Sequence, residues 1–97
     1  MDVPSLMELK WTSKALSDLA RLYDFLTPVD QRAAARTVQT LAAAPAKFLT
    51  RPRIGDRLDE FDPREVRKSL LGHYEMRYEI QQSIVYVLRI WHTREKR

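Results

Sequence analysis

The sequence predicts an α+β fold in which a small antiparallel sheet packs on a pair of helices. Apolar residues recur at helical spacing in the first half of the chain, whereas the last third alternates with a period of two. A segment rich in proline separates the two regions. With 97 residues, the chain is expected to form one domain over residues 1–97, of which residues 1–7 are a disordered or tag-like extension.

The first predicted elements are a short strand and a helix. Residues 8–12 alternate between polar side chains and the apolar Leu9 and Trp11, which is typical of a half-buried strand. Thr12 or Ser13 then offers a hydroxyl group that can cap a helix. The helix is expected to continue to residue 27, with an apolar stripe formed by Leu16, Leu19, Leu22, Tyr23 and Leu26.

A second helix is predicted to follow almost without a loop. Thr27 can cap it, Pro28 suits the first helical position, and Asp30 places a carboxylate near the positive end of the helix. The alanine-rich residues 31–44 continue the helix, which is expected to stop before Pro45. Its apolar stripe consists of Ala34, Val38, Leu41 and Ala42. The two helices are therefore expected to form a hairpin.

The remaining elements are a loop and a three-stranded antiparallel meander. Residues 45–63 hold three of the five prolines and are predicted to form a loop with a helical turn near residues 46–49. Alternation returns from Arg64 onward. Residues 83–92 are apolar on both sides of the strand for most of their length, which predicts a strand covered on both faces. The predicted turns of the meander are Gly72 and the pair Gln81–Gln82.

Composition narrows the range of functions. Lys and Arg number 17 against 13 acidic residues, and the net charge of +4 favours an anionic partner. The absence of cysteine excludes disulfides, thiolate nucleophiles and zinc–thiolate sites. The N-terminus has no signal-peptide pattern, and no apolar stretch approaches the roughly 18 residues of a membrane span. The protein is expected to be soluble and cytoplasmic, without a cofactor, a metal or a membrane partner.

The order of these segments resembles the RelE/ParE superfamily of bacterial type II toxins. Short motifs support the resemblance, which covers nearly all of residues 8–95: Trp11–Leu19, Pro63–Lys68, His73–Tyr78, Tyr78–Ile80, Val85–His92 and Arg94. The resemblance implies a small antiparallel sheet with the helical hairpin on one face and a basic groove on the other. It also implies a cognate antitoxin, encoded by the adjacent gene and commonly a DNA-binding dimer, whose C-terminal segment wraps the toxin.

Members of the superfamily differ in their target. RelE-like toxins cleave messenger RNA in the ribosomal A site, and ParE-like toxins act on DNA gyrase. Metal-free RNA cleavage needs an acid, a base and cations for the phosphate. In this chain His92 can serve as the acid or base, with Arg77 and Arg94 as phosphate contacts. However, Thr93 stands where such nucleases have a tyrosine, and Glu75 stands where they have an arginine, so that a carboxylate would repel the substrate.

We therefore predict a ParE-like toxin that poisons gyrase, and the sequence leaves open whether it is an enzyme. One alternative is a RelE-like, ribosome-dependent and metal-independent endoribonuclease; another is a binding module without toxicity. The candidate contacts to the target are Arg67, Arg77, Arg89, His92 and Arg94, and the candidate contacts to an acidic antitoxin are Arg51, Arg53 and Arg57. The antitoxin is expected to bind the groove of the sheet and the outer face of the hairpin. An RNA-stacking module would need exposed aromatic residues on the sheet, and the alternation places His73, Glu75, Arg77 and Glu79 there.

Overall fold

Residues 7–95 are described by a computed structural model. Their helices and strands are, in chain order, β1 (Glu8–Trp11), α1 (Ser13–Leu26), α2 (Gln31–Ala43), β2 (Asp56–Arg57), β3 (Glu65–Leu71), β4 (Tyr74–Gln81) and β5 (Ile84–His92). Two short 3-10 helices lie at Ala44–Leu49 and Asp59–Phe61. Neither α1 nor α2 has the length and apolar character to span a membrane. The predicted extension falls outside the described residues except for Met7, which packs against the core.

The five strands form one sheet in the order β1-β5-β4-β3-β2. β1 runs parallel to β5, and every other neighbouring pair is antiparallel. The predicted fold class, in which an N-terminal strand and a helical hairpin precede a three-stranded meander in one sheet, is confirmed. β2 was not predicted, because its two exposed residues are too few to show alternation.

α1 begins where the sequence indicated, and its buried stripe agrees with the predicted one at Leu19 and Leu22 but not at Leu16. Thr12 caps the helix, since its Oγ1 accepts a hydrogen bond from the backbone N–H of Ala15 at 3.1 Å. The prediction that Leu16 faces the core is wrong: it is 53% exposed, and Ala15 is fully buried instead. Asp18 explains the difference, because this buried residue shares the core-facing stripe with Ala15 and Leu22 and is invisible to a pattern of apolar residues.

The start of α2 also differs from the prediction. Thr27 does not cap α2 but ends α1, with its N–H bonded to the carbonyl of Tyr23 at 2.9 Å. A turn precedes Asp30, whose carboxylate caps α2 by accepting the N–H of Ala33 at 3.1 Å. Asp30 is preferred as the cap because its carboxylate accepts a hydrogen bond from an otherwise unpaired N–H of the first turn, whereas Pro28 has no side-chain acceptor. The predicted helical turn after α2 is confirmed by the 3-10 helix at Ala44–Leu49.

The predicted apolar stripe of α2 is correct only in part. Ala34 and Leu41 are buried, Val38 is half-buried, and Ala42 is exposed. The helix packs mainly on α1 and leaves part of its surface away from the sheet. Because α2 contacts mainly one neighbouring helix, only a narrow stripe of its surface is buried.

The two tight turns of the meander have left-handed backbone conformations. Gly72 has a φ of +62° and Gln82 a φ of +55°. The turn between β4 and β5 consists of Gln82 and Ser83, because Gln81 still pairs with Ile84 in the sheet. The predicted turn at Gln81–Gln82 is therefore wrong by one residue.

β5 contains a bulge that determines which side chains face each side of the sheet. Arg77 pairs with Arg89, whereas its neighbour Tyr78 pairs with Val87, so that Leu88 is an extra residue on β5. After one extra residue, the alternation along a strand changes its face. The fully buried β5 residues on the helix side are consequently spaced unevenly, as Val85, Val87 and Ile90.

The core lies between the helices and the sheet, and the chain after α2 completes it. The ring of Phe48 stacks on that of Tyr78 with a centroid separation of 3.8 Å. The Tyr78 hydroxyl donates to the carbonyl of Pro52 at 2.7 Å and accepts from the N–H of Gly55 at 2.9 Å. Tyr78 therefore fixes the segment that leads into β2.

The edge of β5 is closed by side chains of α1. β1 pairs only as far as Val87, so that the outer backbone groups of the rest of β5 have no strand partner. Asp18 Oδ2 accepts the N–H of Ile90 at 2.8 Å, and Arg21 Nη2 donates to the carbonyl of Ile90 at 3.1 Å. Thr12 Oγ1 donates to the carbonyl of Val87 at 2.9 Å. The helix thereby satisfies groups that a longer first strand would bond.

Asp18 is held as a buried carboxylate. Burial acts to raise the pKa of Asp18, but hydrogen bonds from Arg89, from the N–H of Ile90 and from Arg21 outweigh it, so that the pKa lies below its ordinary value. Arg89 donates through Nε at 2.8 Å and through Nη2 at 3.2 Å, and Arg21 donates at 3.1 Å. Asp18 is thus charged at neutral pH and bonded on both oxygens.

We predict that Asp18→Asn lowers the free energy of unfolding by about 2 to 4 kcal/mol, because an amide leaves the two arginine contacts without their charged acceptor. Chemical denaturation of both proteins at pH 7 measures the change. Asp24→Asn is the matched control, since Asp24 is exposed on the same helix and makes no ion pair within residues 7–95. Equal stability of the two variants would contradict the role of Asp18.

The same variant has a defined pH dependence. A carboxyl group whose pKa is lower in the folded state contributes stability in full above its unfolded value of about 3.9, and loses it as pH falls through the folded value. We therefore expect the stability difference between the unmodified protein and Asp18→Asn to be constant from pH 7 to about 5 and to shrink below about pH 4. Thermal melts at several pH values would test this, and a difference that grows in acid would contradict it.

We also predict that Gly55→Ala destabilises the fold by about 2 to 3 kcal/mol. A Cβ at Gly55 would lie 2.5 Å from the carbonyl oxygen of Lys68 and 2.7 Å from the hydroxyl of Tyr78. Gly72→Asn is the comparison, because no atom lies within 4 Å of a Cβ there and asparagine tolerates the left-handed backbone. Denaturant midpoints should fall for Gly55→Ala and change little for Gly72→Asn.

Candidate functional site

A concave site of about 400 Å³ lies on the face of the sheet opposite the core, between the meander and the first turn of α1. We name it the arginine groove after its cationic residues Lys14, Arg64, Arg77 and Arg89. Phe61 and Trp91 also line it. Among the described residues that form its wall, none is an aspartate or a glutamate. The groove is therefore a candidate site for an anionic partner.

Different local features bring the four cations together. Alternation along β4 turns Arg77 to the open face of the sheet. The bulge at Leu88 puts Arg89, its partner on β5, on the same face. Arg64 immediately precedes β3, and Lys14 lies in the first turn of α1. The groove therefore depends on the position of the start of α1 at the edge of the sheet.

Each arginine of the groove forms an ion pair with a carboxylate that is less exposed than the arginine. The list of pairs, with the exposed fractions of the two side chains, is Arg64–Glu79 with 53% and 5%, Arg77–Glu75 with 22% and 15%, and Arg89–Asp18 with 39% and 5%. The hydrogen bond from Arg64 lowers the pKa of the Glu79 carboxyl despite the opposing effect of burial. The negative charges therefore orient the guanidinium groups, while the positive charges face the groove.

Arg77 is fixed by aromatic rings as well as by its ion pair. Its guanidinium carbon lies 4.8 Å from the ring centroid of Trp91 and 5.8 Å from that of Phe61. Its Nε donates to Glu75 Oε2 at 3.2 Å. Trp91 is only 4% exposed, so that its ring supports Arg77 and offers no open face for stacking. The guanidinium therefore has a defined position in the centre of the groove.

His92 and Arg94 form a separate cluster at the end of β5. The Nδ1 atom of His92 accepts the N–H of Arg94 at 3.0 Å. The His92 ring contacts Tyr74 edge-on at 5.1 Å and stacks on His73 at 5.8 Å between centroids. Phe25 and Glu95 complete the surroundings of His92 and Arg94. This cluster belongs to the helix side of the sheet.

The structure does not bring the three candidate nuclease residues together. His92 pairs with Tyr74, whereas Trp91, which contacts Arg77, pairs with Glu75. Neighbouring residues of a strand point to opposite faces, so that His92 and Arg77 lie on opposite faces of the sheet. Arg94 lines the same concave surface as His92, and Arg77 lines the arginine groove with Arg89.

The remaining candidate target contact, Arg67, lies outside the arginine groove. Its Nε donates to Glu65 at 2.9 Å, and its Nη1 donates to the carbonyl of Gly55 at 2.7 Å. Arg67 shares the face of its cross-strand partner Tyr78, which is the core side. It therefore holds the segment before β2 against the sheet.

Two of the candidate antitoxin contacts, Arg51 and Arg53, lie on this same segment, and the third, Arg57, lies in β2. Arg53 pairs with Glu65 at 2.9 Å and Arg57 with Asp62 at 2.6 Å. Arg51 makes no ion pair within residues 7–95. All three residues are exposed and can reach a partner.

A second concave site, which we name the α2 cleft, has a volume of about 730 Å³. It lies between α2 and the turn that joins β3 to β4. Its apolar wall includes Leu41, Leu71 and Tyr74, and the positively charged Arg36 stands beside it. The cleft exists because α2 packs on α1 and leaves its other flank away from the sheet.

Two groove residues, Lys14 and Arg64, were missed in the sequence. The alternation of β3 could have identified Arg64, because it lies two residues before Val66 and therefore on the face of Lys68 and Arg77. Lys14 carries no comparable signal, since its role depends on where α1 meets the sheet. In the part of the chain that is described, no cluster of three or more His, Cys, Asp or Glu side chains could hold a metal ion.

Comparisons with known proteins assign the family. The family model for the ParE toxin of the type II toxin–antitoxin system parDE matches residues 9–97. The chromosomal ParDE system from P. aeruginosa has a similar fold, with a TM-score of 0.75 and 24% identity over 91% of this chain and 97% of that chain. The toxin–antitoxin complex RelBE2 from Mycobacterium tuberculosis matches with a TM-score of 0.56 and 23% identity, over 93% of this chain and 99% of that chain.

No curated protein sequence matches the chain. The two solved structures support the fold, and the family model covers nearly the whole sequence from β1 onward. The resemblance drawn from the order of the elements and their motifs is confirmed. The chain belongs to the ParE toxin family of type II toxin–antitoxin systems.

Proposed function

We propose that this ParE-family toxin inhibits growth by poisoning DNA gyrase and does not cleave messenger RNA. The observation that supports this most strongly is the position of His92. General acid–base catalysis requires the proton-transfer group and the phosphate contacts to reach the same reacting atoms. His92 lies on the opposite face of the sheet from Arg77 and Arg89, the two arginines at the centre of the groove.

The chemistry of the groove supports the same choice. Its charged wall residues are Lys14, Arg64, Arg77 and Arg89, and no acidic side chain stands among them in the described wall. Such a surface can bind and hold an anionic target, and among its described wall residues it has no histidine, aspartate or glutamate, which are common proton-transfer groups in hydrolysis and transesterification. A toxin that acts through binding fits this surface better than a nuclease.

The target prediction can be tested with two assays on the purified toxin. We expect inhibition of gyrase supercoiling and an intact message in a translating ribosome system mapped by primer extension. Arg77→Glu should abolish both toxicity and gyrase inhibition, because it reverses the charge at the centre of the groove. Arg32→Glu is the matched control, since Arg32 is exposed on α2 and makes no ion pair within residues 7–95.

Circular dichroism must show that Arg77→Glu remains folded. Cleavage of the message in the A site with normal supercoiling would overturn the proposal and direct attention to His92 and Arg94. Absence of both activities, together with harmless expression of the protein alone, would identify a binding module without toxicity. Equal loss of activity in the Arg32 control would show that overall charge, and not the groove, is responsible.

We further propose that the toxin is neutralised by an antitoxin that inserts an apolar segment into the α2 cleft. The cleft supplies an apolar wall from Leu41, Leu71 and Tyr74, and Arg36 at its side can pair with an acidic residue. Arg51 makes no ion pair within residues 7–95, so that it, with Arg53 and Arg57, can contact acidic residues elsewhere on the partner. The ParDE and RelBE2 systems, which resemble this chain in fold, are toxin–antitoxin assemblies.

The partner surface can be tested with the product of the adjacent gene. Thr37→Lys places a charge among the residues that line the α2 cleft and should weaken binding at least about tenfold, or about 1.4 kcal/mol. Gln39→Lys adds the same charge on the exposed side of α2 and should leave the affinity unchanged. Titration calorimetry measures both variants. Equal weakening would place the antitoxin on the outer face of the hairpin, and no binding to the unmodified toxin would exclude this partner.

A further inference from the structure

The arginine groove contains hydrogen-bond donors that no other described group uses. Arg77 donates to Glu75 only through Nε, so that both of its terminal nitrogens are without a partner. Arg89 uses Nε and Nη2 for Asp18 and leaves Nη1 unused. The ammonium group of Lys14 makes no ion pair within residues 7–95. These atoms are accessible, because every buried side-chain nitrogen or oxygen that is described has a partner.

Two of the cations are cross-strand neighbours on the same face of the sheet. Arg77 and Arg89 are cross-strand partners in the β4–β5 ladder. Like charges at opposite positions of a ladder destabilise the sheet unless a counter-charge lies between them. Asp18 and Glu75 neutralise the inner edges of these guanidinium groups, while the outer edges face the groove without an anion. An anion bound in the groove would supply the counter-charge that these outer edges lack.

The surroundings make the groove a preformed receptor. Trp91 and Phe61 hold the guanidinium of Arg77 in place, and the buried Asp18 holds that of Arg89. Side chains that are already oriented lose less conformational freedom when they bind a ligand. The volume of about 400 Å³ is sufficient for more than a single small ion. The groove is therefore shaped to bind part of a larger anionic molecule.

We propose that the arginine groove binds phosphate groups of a nucleic-acid backbone. The donors approach from β4, from β5 and from α1, so that the ligand must offer acceptors in several directions. A tetrahedral phosphate does so, whereas a planar carboxylate is satisfied by the fork of one arginine. This inference rests on the proposed function, because gyrase as the target implies that the nucleic acid is DNA. The toxin would then contact both gyrase and the DNA that gyrase holds.

The test is direct binding of a short fluorescent DNA duplex, measured by anisotropy with the full-length toxin at several salt concentrations. Lys14→Gln/Arg77→Gln removes two groove charges. Arg32→Gln/Lys47→Gln removes one lysine and one arginine that are exposed elsewhere and form no ion pair within the described chain. We expect the first double variant to weaken binding at least about tenfold and to reduce the salt slope by about 1 or more. The control should change affinity by less than about threefold.

Lys14→Gln alone guards against loss of the fold. Lys14 is exposed and makes no ion pair within residues 7–95, so that its replacement disturbs no partner. It should weaken DNA binding in the same direction, with an unchanged denaturation midpoint. Equal loss in the two double variants, or no DNA binding by the unmodified toxin at low salt, would overturn the inference. So would tighter binding of an acidic peptide of equal charge that is lost in the groove variants, because the groove would then take carboxylates.

A parallel gyrase assay separates this inference from the proposed function. If the toxin inhibits supercoiling but the groove variants bind DNA as tightly as the unmodified toxin, gyrase remains the target and the phosphate site is wrong. If the toxin does not affect gyrase but loses DNA binding specifically in the groove variants, the phosphate site stands and the target is wrong. Loss of both activities in the groove variants, with both retained in the control, supports the two together.

Discussion

The hydrogen bond from the N–H of Ile90 to Asp18, together with that from Arg21 to the Ile90 carbonyl, ties α1 to the edge of β5 and so positions most of the other contacts. β1 pairs with β5 only as far as Val87, and beyond it a carboxylate and a guanidinium of α1 replace the missing strand by bonding the N–H and carbonyl of Ile90. Because an unpaired buried backbone group is expensive, this arrangement fixes both the position and the rotation of α1 against the sheet. It explains why the helix buries Ala15 and Asp18 and leaves Leu16 exposed.

The same carboxylate connects the core with the arginine groove. Asp18 binds Arg89 from the buried side, and through Arg21 it is linked to Glu95 in the C-terminal turn. Arg89 on an otherwise apolar strand is therefore neither a simple surface charge nor an unpaired buried one. Its inner edge stabilises the fold, while its outer edge belongs to the groove. Substitution of Arg89 would disturb both, since it would remove one of the two arginines that pair with the buried Asp18. For this reason Lys14 and Arg77 are the better probes of binding.

The bulge at Leu88 divides the candidate residues between two surfaces. Without the extra residue, strict alternation from Val85 and Val87 would have continued to Arg89 and Trp91 on the helix side. With it, Arg89 and Trp91 join Arg77 on the open face, and His92 turns toward Tyr74 on the other. A binding surface of fixed cations and a separate histidine cluster are the result. This division favours a toxin that binds its target over one that performs acid–base chemistry on it.

The order of the longer elements, the hairpin, the meander and the family could be predicted from the sequence, because period and turn chemistry act over a few residues and can be read locally. The shared face of Arg77 and Glu75 could be predicted as well, since alternation along β4 is regular. The rotation of α1, the cap of α2 at Asp30, the two-residue β2 and the bulge in β5 could not be predicted and emerge from the folded structure. These features depend on contacts between segments distant along the chain, as between Asp18 and Ile90, and no local pattern records such a contact. The arginine groove, with Lys14 and Arg64 beside Arg77 and Arg89, exists for the same physical reason.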